Sequence, residues 1–185
     1  LLYLTSKESQ MTNLLKQLIQ YGQKHQEKLV VFAPEHNFLP KIENIEILSS
    51  KEDVMDMIGG LALKVSERLD KRLTGHVVKI IILDFVDGLD SVTQQKLISV
   101  LEKGYRVGYS SVIMSDSGIS SRYDPVTKEV KKISQVLLGL RYTDQTIVTA
   151  VNKPIREGQL NYQEHYYIRQ NTLNKIKVLV DKESI

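Results

Sequence analysis

Apolar residues fall into two patterns along this chain. Some form short unbroken runs, others are spaced by three and four; these are the signatures of buried strands and of one-sided helices. Leu1 to Thr5 is a short apolar run and reads as a buried strand. The polar stretch Ser6 to Gln10 follows. Met11, Leu14, Leu15, Leu18 and Ile19 then recur at helical spacing, with Gly22 near the expected stop. Leu29 to Ala33 is a second strand, ended by Pro34, and Ile45 to Leu48 is a third. From about Lys51 to Arg72 the positions Val54, Ile58, Leu61, Val65 and Leu69 form one stripe, which predicts a long helix on a core. Ser50 is its expected N-cap, with Asp53 three residues on in a capping-box-like pattern.

The most apolar segment is Val77 to Leu83. A near-continuous run of β-branched residues requires burial on both faces, hence a central parallel strand. A helix from about Ser91 to Tyr105 carries Leu97, Ile98 and Leu101, and Ser111 to Met114 is the next strand. Ser115 to Pro125 is polar and reads as a loop. Gln135 to Leu140 reads as a strand and Thr143 to Val151 as a short helix. Asn161 to Arg169 alternates, with Tyr162, Tyr166 and Ile168 on one face, and pairs with Lys175 to Val180 as a terminal antiparallel hairpin. Pro34, Pro40, Pro125 and Pro154 all fall in expected loops. Repeated strand–helix–strand units define an α/β domain: a mostly parallel sheet with helices on both faces and a hairpin at the end.

Composition narrows the chemistry. The 185 residues are enough for a single domain, and 42% hydrophobic with 25% charged residues is ordinary globular usage. The absence of cysteine excludes disulfides, thiolate metal sites and cysteine nucleophiles. His25, His36, His76 and His165 show no metal-ligand spacing. A net charge of +3 does not by itself argue for nucleic acid. No apolar run reaches the ~18 residues of a membrane span, and no signal peptide is visible. The chain starts within an apolar run and without methionine, and is expected to be one domain, residues 1–185, excised from a longer protein. No nucleophile elbow, triad or pair of catalytic carboxylates is present.

In an open parallel sheet, ligands bind at the carboxyl ends of the strands. The first strand-to-helix turn reads Thr5-Ser6-Lys7-Glu8-Ser9-Gln10-Met11-Thr12. A phosphate loop needs glycines to point backbone amides at the phosphate, a lysine for its outer oxygens and a hydroxyl for magnesium. On that template Thr5 and Gln10 replace the two glycines, Met11 replaces the lysine, and Thr12 alone keeps its group. Lys7 stands at the wrong position, and Glu8 adds negative charge. The strand ending Leu83-Asp84 offers a magnesium-organising carboxylate, but Phe85 fills the place of the water-orienting glutamate. Asp84 reads either as a remnant of such a site or as a cap on the strand end, and Asp87 as a partial substitute.

The element order carries a resemblance, together with Val30-Val31-Phe32-Ala33-Pro34 through Leu39-Pro40, Glu67 to Arg72, Lys79 to Asp84, Val112 to Ser115, Gln135 to Leu140 and Arg156 to Leu160. The chain resembles an FtsK/SpoIIIE-type P-loop ATPase module, in particular the last module of the EssC-type coupling ATPases of type VIIb secretion. The resemblance implies a P-loop NTPase-like (RecA/FtsK-like) fold within a membrane-anchored, multi-module protein of the bacterial cell membrane, on its cytoplasmic side. It implies a terminal module that recognises secreted WXG100-like substrates and contacts neighbouring modules of its own chain. Thr5, Ser6, Lys7, Gln10, Met11, Thr12, Asp84, Phe85 and Ser115 are then a vestigial nucleotide site, Ser115 at the family's phosphate-sensing position. No catalytic or metal-binding residue is assigned, and no ATP or magnesium is expected to bind. Neither nucleic acid nor direct membrane contact is expected of this domain.

Other features keep two readings. Arg122 is an exposed loop residue or an arginine finger for a neighbouring module. Lys128, Lys131 and Lys132 are a solvated helix face or a weak nucleic-acid patch. Tyr162 to Tyr167 is a packed hairpin face or a contact surface. For the whole chain, the alternatives to a recognition module are an active ATPase, with Lys7 and Asp87 taking over the lost roles, and a DNA-translocating motor module.

Overall fold

The computed structural model describes residues 1–33, 45–83, 88–115, 119, 122–133, 135–142, 155–170 and 172–178. Within them the chain alternates β1 (Leu2–Leu4), α1 (Glu8–Lys24), β2 (Leu29–Phe32), β3 (Ile45–Leu48), α2 (Lys51–Asp70), β4 (Val78–Leu83), α3 (Ser91–Lys103), β5 (Tyr109–Ser115), α4 (Pro125–Val130), β6 (Gln135–Leu138), β7 (Glu164–Arg169) and β8 (Thr172–Lys177). The strands form one sheet in the order β3-β2-β4-β5-β1-β6-β7-β8. The first six are parallel, and β7 and β8 are antiparallel additions. The α/β architecture, the helices on both faces and the terminal hairpin agree with the sequence pattern.

Two apolar layers hold the sheet. On one face Met11, Leu15 and Ile19 of α1 pack on Tyr3, Val31, Ile81, Met114 and Leu137. On the other, Val54, Ile58, Leu61 and Val65 of α2, Leu97 and Val100 of α3, and Val126 and Val130 of α4 cover Leu4, Phe32, Ile80, Ile82, Ile113 and Leu138. Each fully buried aliphatic side chain contributes about 1.5–3 kcal/mol. β4 lies between β2 and β5, and Val78 and Ile80 to Leu83 are buried, as its continuous apolar run requires.

The α2 start is local chemistry: Ser50 Oγ accepts from the Asp53 amide (3.1 Å) and donates to the Asp53 carboxylate (2.6 Å). The stop of α1 falls near Gly22, as expected, but not because of it. Gly22 does not end the helix, which runs on to Lys24. A Cβ at Gly22 would come within 2.5 Å of the Leu29 side chain, so this glycine permits close helix–strand approach. The left-handed stop falls on Gln26 (φ 52), with Glu27 N–H donating to the Gly22 carbonyl (2.8 Å).

Pro125 opens α4 rather than lying in a loop, with Asp124 as N-cap accepting from the Thr127 amide (2.9 Å). The hairpin strands start later and earlier, respectively, than the pattern suggested, and Tyr162 precedes β7 instead of sharing its face. The expected helix over residues 143–151 and the other three prolines lie outside the described residues. Among the described residues, no helix is long and apolar enough to cross a membrane.

Candidate functional site

β1 is the point where the strand order turns back: β5 lies on one side of it and β6 on the other. Its carboxyl end is therefore the place where this class of sheet holds ligands. There the chain makes a short turn. Three residues, Thr5, Ser6 and Lys7, separate β1 from α1. The helix begins at Glu8, so Gln10, Met11 and Thr12 are already helical. Met11, at the position a phosphate-binding lysine would take, is buried in the α1 core layer. Thr12 is half-buried on α1, and Lys7 is the N-cap of α1 with no side-chain cap bond.

Gln10 closes this turn. Its side chain is 3% exposed. Its Oε1 accepts from the Thr5 hydroxyl (2.7 Å) and from the Leu140 amide (2.9 Å), and its Nε2 donates to the Tyr162 carbonyl (2.7 Å). Thr5 is also saturated. Its hydroxyl has the Leu140 carbonyl as a second acceptor at 3.0 Å, and its oxygen accepts from the Lys7 amide (3.1 Å). The Ser6 hydroxyl donates to the Arg141 carbonyl (2.8 Å) and its amide to that of Leu140 (3.2 Å). Gly139 makes room for the cluster. A Cβ there would meet Gln10 Oε1 at 2.5 Å and Thr5 at 3.0 Å. On the β5 side, buried Ser115 stands beside Leu4 in register, and its carbonyl accepts from the Thr5 amide (3.2 Å).

The structure thus gathers Thr5, Ser6, Lys7, Gln10 and Ser115 at one strand end, and turns Met11 into the core. Asp84, Phe85 and Asp87 lie outside the described residues, as does the loop beyond Ser115 apart from Ile119 and Arg122 onward.

Two features were not legible from motif spacing. His165, one of four histidines scattered along the sequence, is 4% exposed and bonded to Tyr3 of β1: Tyr3 OH lies 2.9 Å from His165 Nε2. Burial pushes the His165 imidazole below its ordinary pKa and pushes the Tyr3 phenol up. The second is a cavity of about 110 Å³ on the opposite sheet face. Ile82, Leu89, Leu97, Ile113, Val126 and Val130 line it, with Arg122 and Asp124 among its polar groups. Arg122, expected to be exposed or to act as a finger, is half-buried there. Lys128 and Lys132 are exposed and Lys131 half-buried, with Lys132 paired to Glu129. That is the solvated-face arrangement.

No family model matches the sequence, and no curated protein matches it significantly. Solved structures do match in fold, and they are ATPase modules of the FtsK-like class. EssC (ATPases 2 and 3) from Geobacillus thermodenitrificans superposes with TM-score 0.73 at 12% identity, covering 97% of this chain and 36% of that one. Thermomonospora curvata EccC (ATPases 2 and 3), in complex with a signal sequence peptide, gives 0.71 and 14%, covering 98% and 36%. The pCW3 conjugation coupling protein TcpA, with ATPγS, gives 0.72 and 10%, covering 99% and 60%. At such identities the likeness is one of fold. The chain spans little more than a third of the EssC and EccC structures.

Proposed function

We propose that this chain is a motor-fold module of a type VII secretion coupling protein that works in substrate recognition and motor assembly, not in ATP hydrolysis. The observation that carries this reading is the Gln10 side chain. It sits in the first turn of α1, where a phosphate loop would present open amides, and binds Thr5, Leu140 and Tyr162 instead. A phosphate entering there would have to displace three hydrogen bonds, and no lysine replaces Met11 to reward it. Thr5, Ser6, Lys7, Gln10, Met11, Thr12, Asp84, Phe85 and Ser115 are, on this reading, a nucleotide site that has lost its function.

The secretion assignment is supported by the EssC and EccC likeness, and the recognition role by the EccC structure that carries a signal sequence peptide. The partners would be small helical WXG100-like substrates and adjacent ATPase modules, in a membrane-anchored protein acting from the cytoplasm. A substrate helix would bind in the helix-in-groove mode, apolar face inward.

Calorimetry with ATP and magnesium tests the reading. No binding is expected. A dissociation constant in the low micromolar range, abolished by Asp84→Ala, overturns it. One observation favours the alternative of an active ATPase: the same fold in TcpA holds ATPγS. Turnover of the 185-residue chain that falls in Lys7→Ala would select that alternative.

A further inference from the structure

His25 and His76 are exposed, whereas His165 is buried between the hairpin and β1. Its two nitrogens have defined roles. Nδ1 faces the Gln163 carbonyl at 3.4 Å, and a carbonyl can only accept, so Nδ1 carries the hydrogen. Nε2 is then the acceptor for the Tyr3 hydroxyl at 2.9 Å. This bond spans 162 residues of sequence and crosses β6, which separates β1 from β7.

We propose that His165 is an acid-sensitive latch fastening the β7–β8 hairpin to β1, opened when Nε2 takes up a proton from solvent. A proton on Nε2 sets an N–H against the Tyr3 O–H. The Tyr3 O–H must then swing off Nε2 so that its oxygen accepts instead, which costs this buried hydroxyl its acceptor, and the buried imidazolium faces no carboxylate among the described residues. Among the described residues, the side chains beside it are uncharged. Tyr3 of β1, Leu137 of β6, Met11 of α1 and Tyr167 of β7 share its sheet face, and Ile176 of β8 lies directly opposite in register. Of the hairpin's charged residues, Glu164, Lys175 and Lys177 alternate to the other face, where Lys175 pairs with Glu164 at 2.7 Å; Arg169 shares the face of His165 but is exposed at the far end of β7. On α1, Glu8 and Lys16 are exposed and Lys7 is half-buried at the N-cap, while buried Gln10 and Asn13 are neutral. The Tyr3 phenol, pushed up by burial, stays protonated at neutral and acid pH.

The sign follows from linkage. Burial lowers the pKa of His165 in the closed state, with the Gln163 carbonyl partly opposing. The open state therefore binds more protons as pH falls. Closure is complete above the ordinary histidine pKa of about 6.5 and is lost progressively below it. Release would reach the β1 turn as well. Tyr162, whose carbonyl accepts from Gln10, is three residues from His165.

Amide hydrogen exchange on the 185-residue chain, from about pH 7.5 to about pH 5.5, reads this out over the range in which histidine changes charge. After correction for intrinsic rates, β7 and β8 should open several-fold more on acidification while β4 does not. His165→Gln, which still accepts from Tyr3 but cannot titrate, should abolish that rise. In parallel, nitrogen-15 shifts of the wild-type imidazole should report the Nδ1–H tautomer at the upper pH. Hairpin exchange that is flat with pH, or that rises equally in His165→Gln, overturns the proposal. A His165 that titrates as a free histidine while the hairpin stays closed does so too.

Discussion

The carboxyl edge of the sheet has two contrasting regions. At the end of β1, where the strand order reverses, polar side chains bond to one another and leave no cradle: Gln10 to Thr5, Leu140 and Tyr162. On the other face, between β4, β5, α3 and α4, aliphatic side chains together with Gln94, Arg122 and Asp124 line a cavity of about 110 Å³. The first region is directional and closed; the second is non-directional and has room. The contrast supports the proposed division of labour. A buried polar cluster with every partner satisfied is costly to reopen for phosphate. A hollow with an aliphatic floor and a few polar groups has room for a side chain of a partner.

Isosteric substitutions separate the two regions, because one that adds a charge to the polar cluster is poorly tolerated whereas apolar packing tolerates a change that conserves volume. The largest effect is expected from Gln10→Glu, which keeps the shape but places a charge against the Tyr162 carbonyl; the loss should be about 4 kcal/mol in denaturant unfolding. A loss below about 1 kcal/mol would mean the turn is open to water and the contrast is false. Next is Leu97→Ala, which enlarges the existing cavity and should cost about 3 kcal/mol, whereas Leu97→Met should cost under about 1.5 kcal/mol. Equal losses in the two Leu97 variants would show the cavity wall to be as specific as the polar cluster. The smallest is Thr5→Val, about 1 kcal/mol, since Gln10 Oε1 keeps the Leu140 amide and the Leu140 carbonyl keeps the Ser6 amide, leaving the Lys7 amide at the half-buried helix start to lose its side-chain acceptor. Combined with Gln10→Ala in a double-mutant cycle, it should show coupling of at least about 0.5 kcal/mol; strict additivity would break the network into independent bonds.

The legible parts of this protein were those whose causes lie within a few residues. The Ser50–Asp53 cap, the α2 stripe from Val54 to Val65 and the apolar run of β4 were readable because periodicity and capping act locally. The helix stop lay near Gly22 but the role of that glycine was not legible, because glycine has two uses. At Gly22 the need is the nearness of Leu29, and Gln26 takes the left-handed position instead. At the candidate site, the missing glycines and lysine of a phosphate loop were visible at Thr5, Gln10 and Met11. What filled the space was not, since the partners of Gln10 stand 130 and 152 residues further on.

The sequence by itself determined the alternation of strands and helices, the burial of β4 on both faces and the departure of Thr5 to Thr12 from the glycine- and lysine-bearing pattern of a phosphate loop. These depend on side-chain type and short-range spacing. Tertiary structure alone decided that Gln10 would be bonded within the turn, that His165 would meet Tyr3 across β6, and that a cavity would remain beside α3 and α4. Hydrogen bonds and voids of that kind depend on which distant residues the sheet order brings within about 3 Å, and strand order is not encoded in any local pattern.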